Sequence, residues 1–270
     1  MQLVSFDALR TLKLPRTTFI KPERLLEHLP EVRAADCLLF PPYWQVNALV
    51  YGLRKRIFPS HATYLLGHDK VEMTRAFQMV APAHVPETLI EANDPAGIAR
   101  VLERLPFPFV AKLPRSSQGE GVFLVRDRAD WQHYLALTPV IYAQEFLPID
   151  RDLRIVYVGS RIVGCYWRLQ GTQGFHNNLA RGGIVDRSPV PEAARVLVEH
   201  VAGTLGINHA GFDIAMVDGH PYVLEFNRLF GNRGLQGAND PVPEAILEYL
   251  VTALGHHDPG DPSRPLPLAV

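Results

Sequence analysis

Residues 211–227 read Gly211-Phe212-Asp213-Ile214-Ala215-Met216-Val217-Asp218-Gly219-His220-Pro221-Tyr222-Val223-Leu224-Glu225-Phe226-Asn227. Two alternating runs flank Asp218-Gly219, a dipeptide that favours a tight turn, so the stretch predicts a β-hairpin. Glu225 and Asn227 are two residues apart and project from one face of their strand. Register decides whether Asp213 joins them. A plain two-residue turn pairs Asp213 with Leu224 and sends it to the other face. A three-residue turn, or one bulge, pairs Asp213 with Glu225 and Gly211 with Asn227. In that case three hard oxygen donors, two of them anionic, share a face suited to Mg²⁺ with room left for phosphate oxygens. Otherwise the hairpin has only a solvated acidic face.

Upstream segments bear on that choice. Asp69 is a good N-cap for a helix running to about Val80, and Lys70 follows it, where a cation opposes the helix dipole. Asn93-Asp94-Pro95 opens a second helix with Ile98, Val101, Leu102 and Leu105 on its apolar side. Phe109 to Lys112 predicts a strand ending in a lysine. Ser116-Ser117-Gln118-Gly119-Glu120-Gly121 follows, then a strand from Val122 to Val125. Small residues allow backbone N–H groups to approach phosphate closely, and the lysine adds charge. No Gly-Lys-Ser/Thr is present, so this is not a Walker loop.

A helix containing Trp131, Tyr134 and Leu135 leads to a strand from Val140 to Phe146. The segment from Asp150 to Arg154 precedes strands at Ile155–Val158 and Ile162–Trp167, joined at Gly159-Ser160 as a hairpin. Arg154 and Arg168 stand at opposite ends of that hairpin, where register can bring them side by side. Two neighbouring arginines repel unless a carboxylate or phosphate lies between them. Gly171 to Asn178 reads as a mobile polar loop. Pro191 then starts a helix through Ala193, Leu197, Val201 and Leu205, closed by Gly206. A last helix spans Pro243 to Leu254, and the tail from His256 reads as flexible.

Residues 1 to about 60 are broken by prolines into a small α/β unit. It has a buried strand at Cys37–Phe40 and a helix carrying Val46, Leu49, Val50, Leu53 and Ile57, stopped by Pro59. The chain has 270 residues, 47% hydrophobic and 20% charged, with a net charge of −1. That composition is globular and gives no global electrostatic case for nucleic acid or an anionic membrane. Cys37 and Cys165 sit in apolar surroundings and read as buried thiols. No apolar run approaches a bilayer span, and residues 1–10 lack a signal-peptide layout, so a cytoplasmic location is expected.

Lys70, the Lys112 strand with Gly119-Glu120-Gly121, Gln144-Glu145-Phe146, Asp152-x-Arg154, Asn178-Leu179 with Arg181-Gly182-Gly183, Gly211-x-Asp213 and Glu225-x-Asn227 occur in one order. That order and spacing resemble the ATP-grasp superfamily, in its branch of RimK-type glutamate ligases and bacterial glutathione synthetases, over about Gly67 to Leu235. The resemblance implies an α+β fold in which two α+β subdomains clasp ATP. The expected divisions are 1–66 (short α/β lead-in), 67–143 (smaller subdomain), 144–255 (larger subdomain with the Mg²⁺ site) and 256–270 (tail). It implies phosphate contacts from Lys70, Lys112 and the Gly119 and Gly121 loop. Glu145 and Phe146 would bind adenine through their backbone, and Asp152 the ribose. His176, Asn177 and Asn178 would lie beside the nucleotide. Asp213, Glu225 and Asn227 would hold Mg²⁺, with Mn²⁺ as an alternative, and Arg154 and Arg168 would clamp the reacting carboxylate.

Relatives phosphorylate a carboxylate, which an amine then attacks to form an amide, so the expected substrates are a small-molecule or peptide acid and an amine. A homodimer is expected from relatives only. Three departures bear on specificity, the first being that the short lead-in domain, which often contributes to substrate choice in relatives, matches only loosely. His176 stands where relatives carry an arginine, and Arg228-Leu229-Phe230-Gly231 replaces small residues and a serine. The readings that compete are an ATP-grasp kinase and a nucleotide-binding regulator without turnover.

Overall fold

The computed structural model describes residues 1–116, 121–169, 184–231, 233–235 and 240–255. Gly119, His176, Asn177, Asn178 and the tail from His256 lie outside the described residues. The described residues form three sheets.

The first sheet is parallel, in the order β2-β1-β3-β4, from β1 (Leu3–Ser5), β2 (Thr17–Phe19), β3 (Cys37–Leu39) and β4 (Ile57–Phe58). Short helices join the strands, as the prolines predict. One expectation fails here. The helix expected to reach Ile57 ends at Gly52, in a π-helical stretch Ala48–Gly52, and Arg54 adopts a positive φ of 55°. Ile57 then enters β4, because the backbone of Leu38–Phe40 supplies pairing partners that helical periodicity ignores.

The second sheet is antiparallel, in the order β5-β8-β6-β7, from β5 (Thr88–Ala92), β6 (Phe109–Lys112), β7 (Val122–Val125) and β8 (Val140–Glu145). The helices Pro95–Arg104 and Arg128–Leu135 cover its apolar side. Val101, Leu105, Phe109, Ala111, Trp131 and Tyr134 form that core.

The third sheet runs β11-β10-β9-β12-β13, from β9 (Arg151–Val158), β10 (Arg161–Leu169), β11 (Ile184–Asp186), β12 (His209–Val217) and β13 (His220–Asn227). Leu153, Ile155 and Tyr157 of β9 face the helices Lys70–Val80 and Glu192–Leu205, together with Phe212 and Ile214. The next residues along β9 point the other way. Val156 and Val158 pack with the helix Val242–Gly255 and the first sheet, whereas Asp152 and Arg154 continue the same face as a charged surface. The helix Glu192–Leu205 buries Ala194 rather than the expected Ala193, and ends at Gly206 with φ 67°, a left-handed cap. Among the described residues, no helix is long and apolar enough to cross a membrane.

Candidate active site on the charged face of the third sheet

The hairpin register is set by one bulge. Asp218 and Gly219 have φ of 50° and 79°, so they form a two-residue turn that pairs Val217 with His220. Ile214 pairs with Val223, but Asp213 pairs with Glu225, leaving Leu224 as the extra residue. That residue restores Asp213 to the face of Glu225 and Asn227. Asn227 Nδ2 donates to Glu225 Oε1 at 3.3 Å.

β9 lies beside β12 and sets Arg154 opposite Asp213. On its other side, β10 sets Tyr166 opposite Arg154 and Arg168 opposite Asp152. Pairs directly opposed in a ladder share a face, so four charges meet. Arg154 Nε lies 2.7 Å from Asp213 Oδ1, and its Nη2 donates to Oδ2 at 3.2 Å. Arg168 Nη2 lies 3.0 Å from the same Oδ1. Arg168 also forks onto Asp152, with Nε to Oδ1 at 2.8 Å and Nη2 to Oδ2 at 2.6 Å. All four side chains are buried. Burial opposes the charge on Arg168, but Asp213 and Asp152 outweigh it and hold the guanidinium protonated. Burial pushes the Asp213 carboxyl up, against the downward pull of Arg154 and Arg168. Arg154 Nε and Asp213 Oδ1 approach closely but out of hydrogen-bonding alignment. The quartet therefore keeps one carboxylate oxygen without an aligned donor.

The opposite wall carries the lysines. Lys112, 7% exposed at the end of β6, donates to Gln144 Oε1 at 2.8 Å, with its Nζ 5.5 Å from the Tyr142 ring centroid. Lys70, the first residue of its helix, donates to the Ser116 carbonyl at 2.6 Å and to Ser116 Oγ at 3.2 Å. Burial lowers both lysine pKa values, and Glu225 is the anion that most opposes the shift in each. Burial also disfavours ionised Glu225, yet Lys70, Lys112, the Asn227 amide and Arg154 together draw its pKa below the ordinary value. Glu225 is thus the electrostatic centre of the face.

Two placements add partners that the sequence did not show. Asp152, expected at a ribose, has both oxygens engaged by Arg168, because the β9–β10 register sets them opposite one another. At Glu145, expected to meet adenine through its backbone, the N–H is bonded to the Glu87 carbonyl, since β8 ends alongside the approach to β5. Gly121 is packed so tightly that a Cβ there would collide with the Ser116 side chain. Phe146 follows Glu145 directly after the end of β8.

Three residues take roles that the sequence reading did not assign. Gln144 accepts a hydrogen bond from the Lys112 ammonium; its alternation with Tyr142 on β8 is the signal that could have marked it. Ser116, the acceptor for Lys70, lies 46 residues away and has no local signature. His209 is fully buried beneath residues 228–230, where Nδ1–H donates to the Arg228 carbonyl at 2.8 Å.

The lysine wall, the acidic hairpin and the arginine pair lie where two antiparallel units meet, the layout of an ATP-grasp fold. A solved RimK domain ATP-grasp protein of Sphaerobacter thermophilus superposes with a TM-score of 0.65 at 17% identity, over 93% of this chain and 100% of that one. The chain belongs to the RimK-like ATP-grasp family, whose domain matches residues 68–242. Among curated relatives, a probable alpha-L-glutamate ligase of Sodalis glossinidius is 32% identical over 139 residues, 49% of this chain and 47% of that protein. Human N-acetylaspartylglutamate synthase A is 27% identical over 165 residues, 58% of this chain and 42% of that protein. The chain spans about half the length of the curated relatives it matches.

Proposed function

We propose that this chain is an ATP-dependent carboxylate–amine ligase that forms an amide through an acyl phosphate. The observation that carries the reading is the convergence of Lys70 and Lys112 on Glu225, with Asn227 beside it and the arginine pair on the same face. A polyanion and a divalent cation together satisfy such a surface better than either alone.

The donor types fit Mg²⁺: Glu225 and Asn227 lie side by side on β13, with the Asn227 amide nitrogen donating to Glu225 Oε1, and Asp213 shares their face. Among the described residues no group of three acidic, histidine or cysteine side chains could hold a metal ion. Asp213, Glu225 and Asn227 would hold Mg²⁺ or Mn²⁺, which would neutralise phosphate charge and orient the γ-phosphoryl group. Lys70 and Lys112 bind the phosphates. Gln144 fixes the Lys112 ammonium, and Ser116 fixes that of Lys70, so neither must be ordered during the reaction.

A substrate carboxylate oxygen attacks the γ-phosphorus, the bond to the β-phosphate oxygen breaks, and ADP leaves. The amine then attacks the acyl carbon, phosphate departs with the C–O bond electrons, and the amine nitrogen loses a proton. Arg154 and Arg168 face the charge that develops on the acyl phosphate. In this reading Asp152 is a positioning residue that aims the Arg168 fork, and no ribose contact is assigned to it. The names of the curated relatives make glutamate the first substrate to try, as acid or as amine. A cytoplasmic setting fits the need for ATP.

The test is ADP release with ATP and Mg²⁺ across amino acids and dipeptides, with hydroxylamine added to trap the acyl phosphate. An acid-dependent hydroxamate is the expected result. ADP formed only on a hydroxyl acceptor would replace the ligase with a kinase, and Mg·ATP binding with no turnover on any acid would leave a nucleotide-binding regulator.

A further inference from the structure

One residue beyond Asn227, the half-buried Arg228 has no acidic partner among the described residues. Its guanidinium carbon lies 4.8 Å from the ring centroid of Tyr64, in the N-terminal unit. The backbone that carries it is clamped twice. His209 donates to the Arg228 carbonyl at 2.8 Å, and Arg10 Nη1 donates to the Phe230 carbonyl at 3.3 Å. The Phe230 ring is buried and stacks on His209 at 4.6 Å. Arg228 thus hangs from a rigid segment that starts at the end of the acidic strand.

Its surroundings leave a positive charge unmatched. Arg10 is the like charge that bears on it, and the nearby acid Asp7 is engaged by Arg10, Oδ2 to Nε at 3.4 Å. The Tyr64 hydroxyl is used in donating to the Pro41 carbonyl at 2.7 Å, and the Tyr43 ring is stacked on His68 at 3.8 Å. The aromatic rings therefore line the place without neutralising it. A guanidinium held against an aromatic face and partly withdrawn from water favours a planar anion that can accept two N–H bonds.

We propose that Arg228, supported by Arg10, anchors a substrate carboxylate that is not phosphorylated, such as the α-carboxylate of an amino acid. The assignment rests on the ligase reading, in which the nucleotide phosphates belong to Lys70 and Lys112. The segment that carries Arg228 borders the reacting face, because the Cβ position of Gly211 lies between Arg154 Nη1 and Phe230 Cβ, 2.6 Å from the first and 3.0 Å from the second. Arg228 then selects substrates that carry a second acidic group.

Calorimetric titration of the full chain loaded with Mg·ADP tests this. The probes are the twenty L-amino acids, including L-glutamate and L-aspartate, their α-amides, and inorganic phosphate. Arg228→Gln is expected to weaken binding of the preferred free acid by roughly tenfold or more, and Arg10→Gln to weaken it less. Arg228→Lys should recover part of the loss, and the α-amide should bind the wild-type chain as weakly as the acid binds Arg228→Gln. Affinity for Mg·ADP should stay the same in all variants, which also shows that they fold. Unchanged acid affinity in Arg228→Gln would overturn the proposal. So would a Mg·ADP-loaded wild-type chain that binds none of the acids, or inorganic phosphate competing as well as the acid. Binding that depends on Arg228 without any trapped hydroxamate would keep the anchor and remove the ligase. Hydroxamate formation with an unaltered KM for the acid in Arg228→Gln would do the reverse.

Discussion

Arg154 grips Asp213 from the neighbouring strand, with Nε 2.7 Å from Oδ1 and Nη2 3.2 Å from Oδ2. Arg168 reaches the same Oδ1 at 3.0 Å, so the anion that lets two arginines share this face is part of the protein. Breaking such a set by removing one member leaves buried charge without compensation. Asp213→Ala is therefore expected to destabilise the chain by about 3–5 kcal/mol. Urea unfolding measures this, and a double-mutant cycle with Arg154→Met should recover much of the loss. A cycle showing no coupling would contradict the shared-anion arrangement.

Glu225 has a different role, because its partners are the lysines of the facing wall. Glu225→Ala should abolish Mg²⁺-dependent turnover, a loss of roughly a hundredfold or more. Steady-state ADP release across a Mg²⁺ series checks it. Activity that merely needs more Mg²⁺ to reach the wild-type rate would assign Glu225 to metal affinity alone.

Lys112→Ala should weaken ATP binding by roughly tenfold or more, the usual cost of a lost bond to a charged group. Gln144→Leu frees the Lys112 ammonium from its fixed position and should give a smaller loss in the same direction. Equilibrium titration with ATP in the presence of Mg²⁺ reads both. Unchanged affinity in each variant would remove the lysine from the phosphate site.

Gly211 is required for contact rather than for flexibility. A Cβ there would fall 2.6 Å from Arg154 Nη1 and 3.0 Å from Phe230 Cβ. Gly211→Ala should cost about 1–3 kcal/mol through overpacking, and it should also displace the arginine. Thermal melting together with turnover separates the two effects: stability restored by added salt or osmolyte should not restore rate.

His209 gives stability an acid limit. Burial holds its pKa down at about 3, well below the ordinary 6.5, so the folded state favours the neutral ring. Its contribution is complete above pH 6.5 and is lost as pH falls towards 3. Between pH 6.5 and 5 the loss is about 2 kcal/mol. Urea midpoints over that range should fall more steeply in the wild-type chain than in His209→Gln. Parallel slopes would mean that another group sets the acid limit.

Some of this chemistry is legible in the primary structure because it is local. Asp218-Gly219 specifies its turn, Asp69 and Asp94 cap their helices, and Glu225-x-Asn227 alternates onto one strand face, all from interactions within a few residues. The order of the motifs was sufficient to indicate the family. The relation of Asp213 to Glu225 was not settled in the same way. Two registers fit the sequence, and the bulge at Leu224 is selected when Phe212 and Phe226 pack into one core while Ile214 pairs with Val223. Nor does any local signal link Asp152 to Arg168, Lys70 to Ser116, or Arg228 to Tyr64, which are 16, 46 and 164 residues apart in the chain. Buried charges need partners, but short-range pattern cannot say which partner strand registry and sheet packing will supply. The sequence by itself thus determined the elements and the kinds of group at the site, and tertiary packing alone decided which charge neutralises which and left Arg228 without an acidic partner among the described residues.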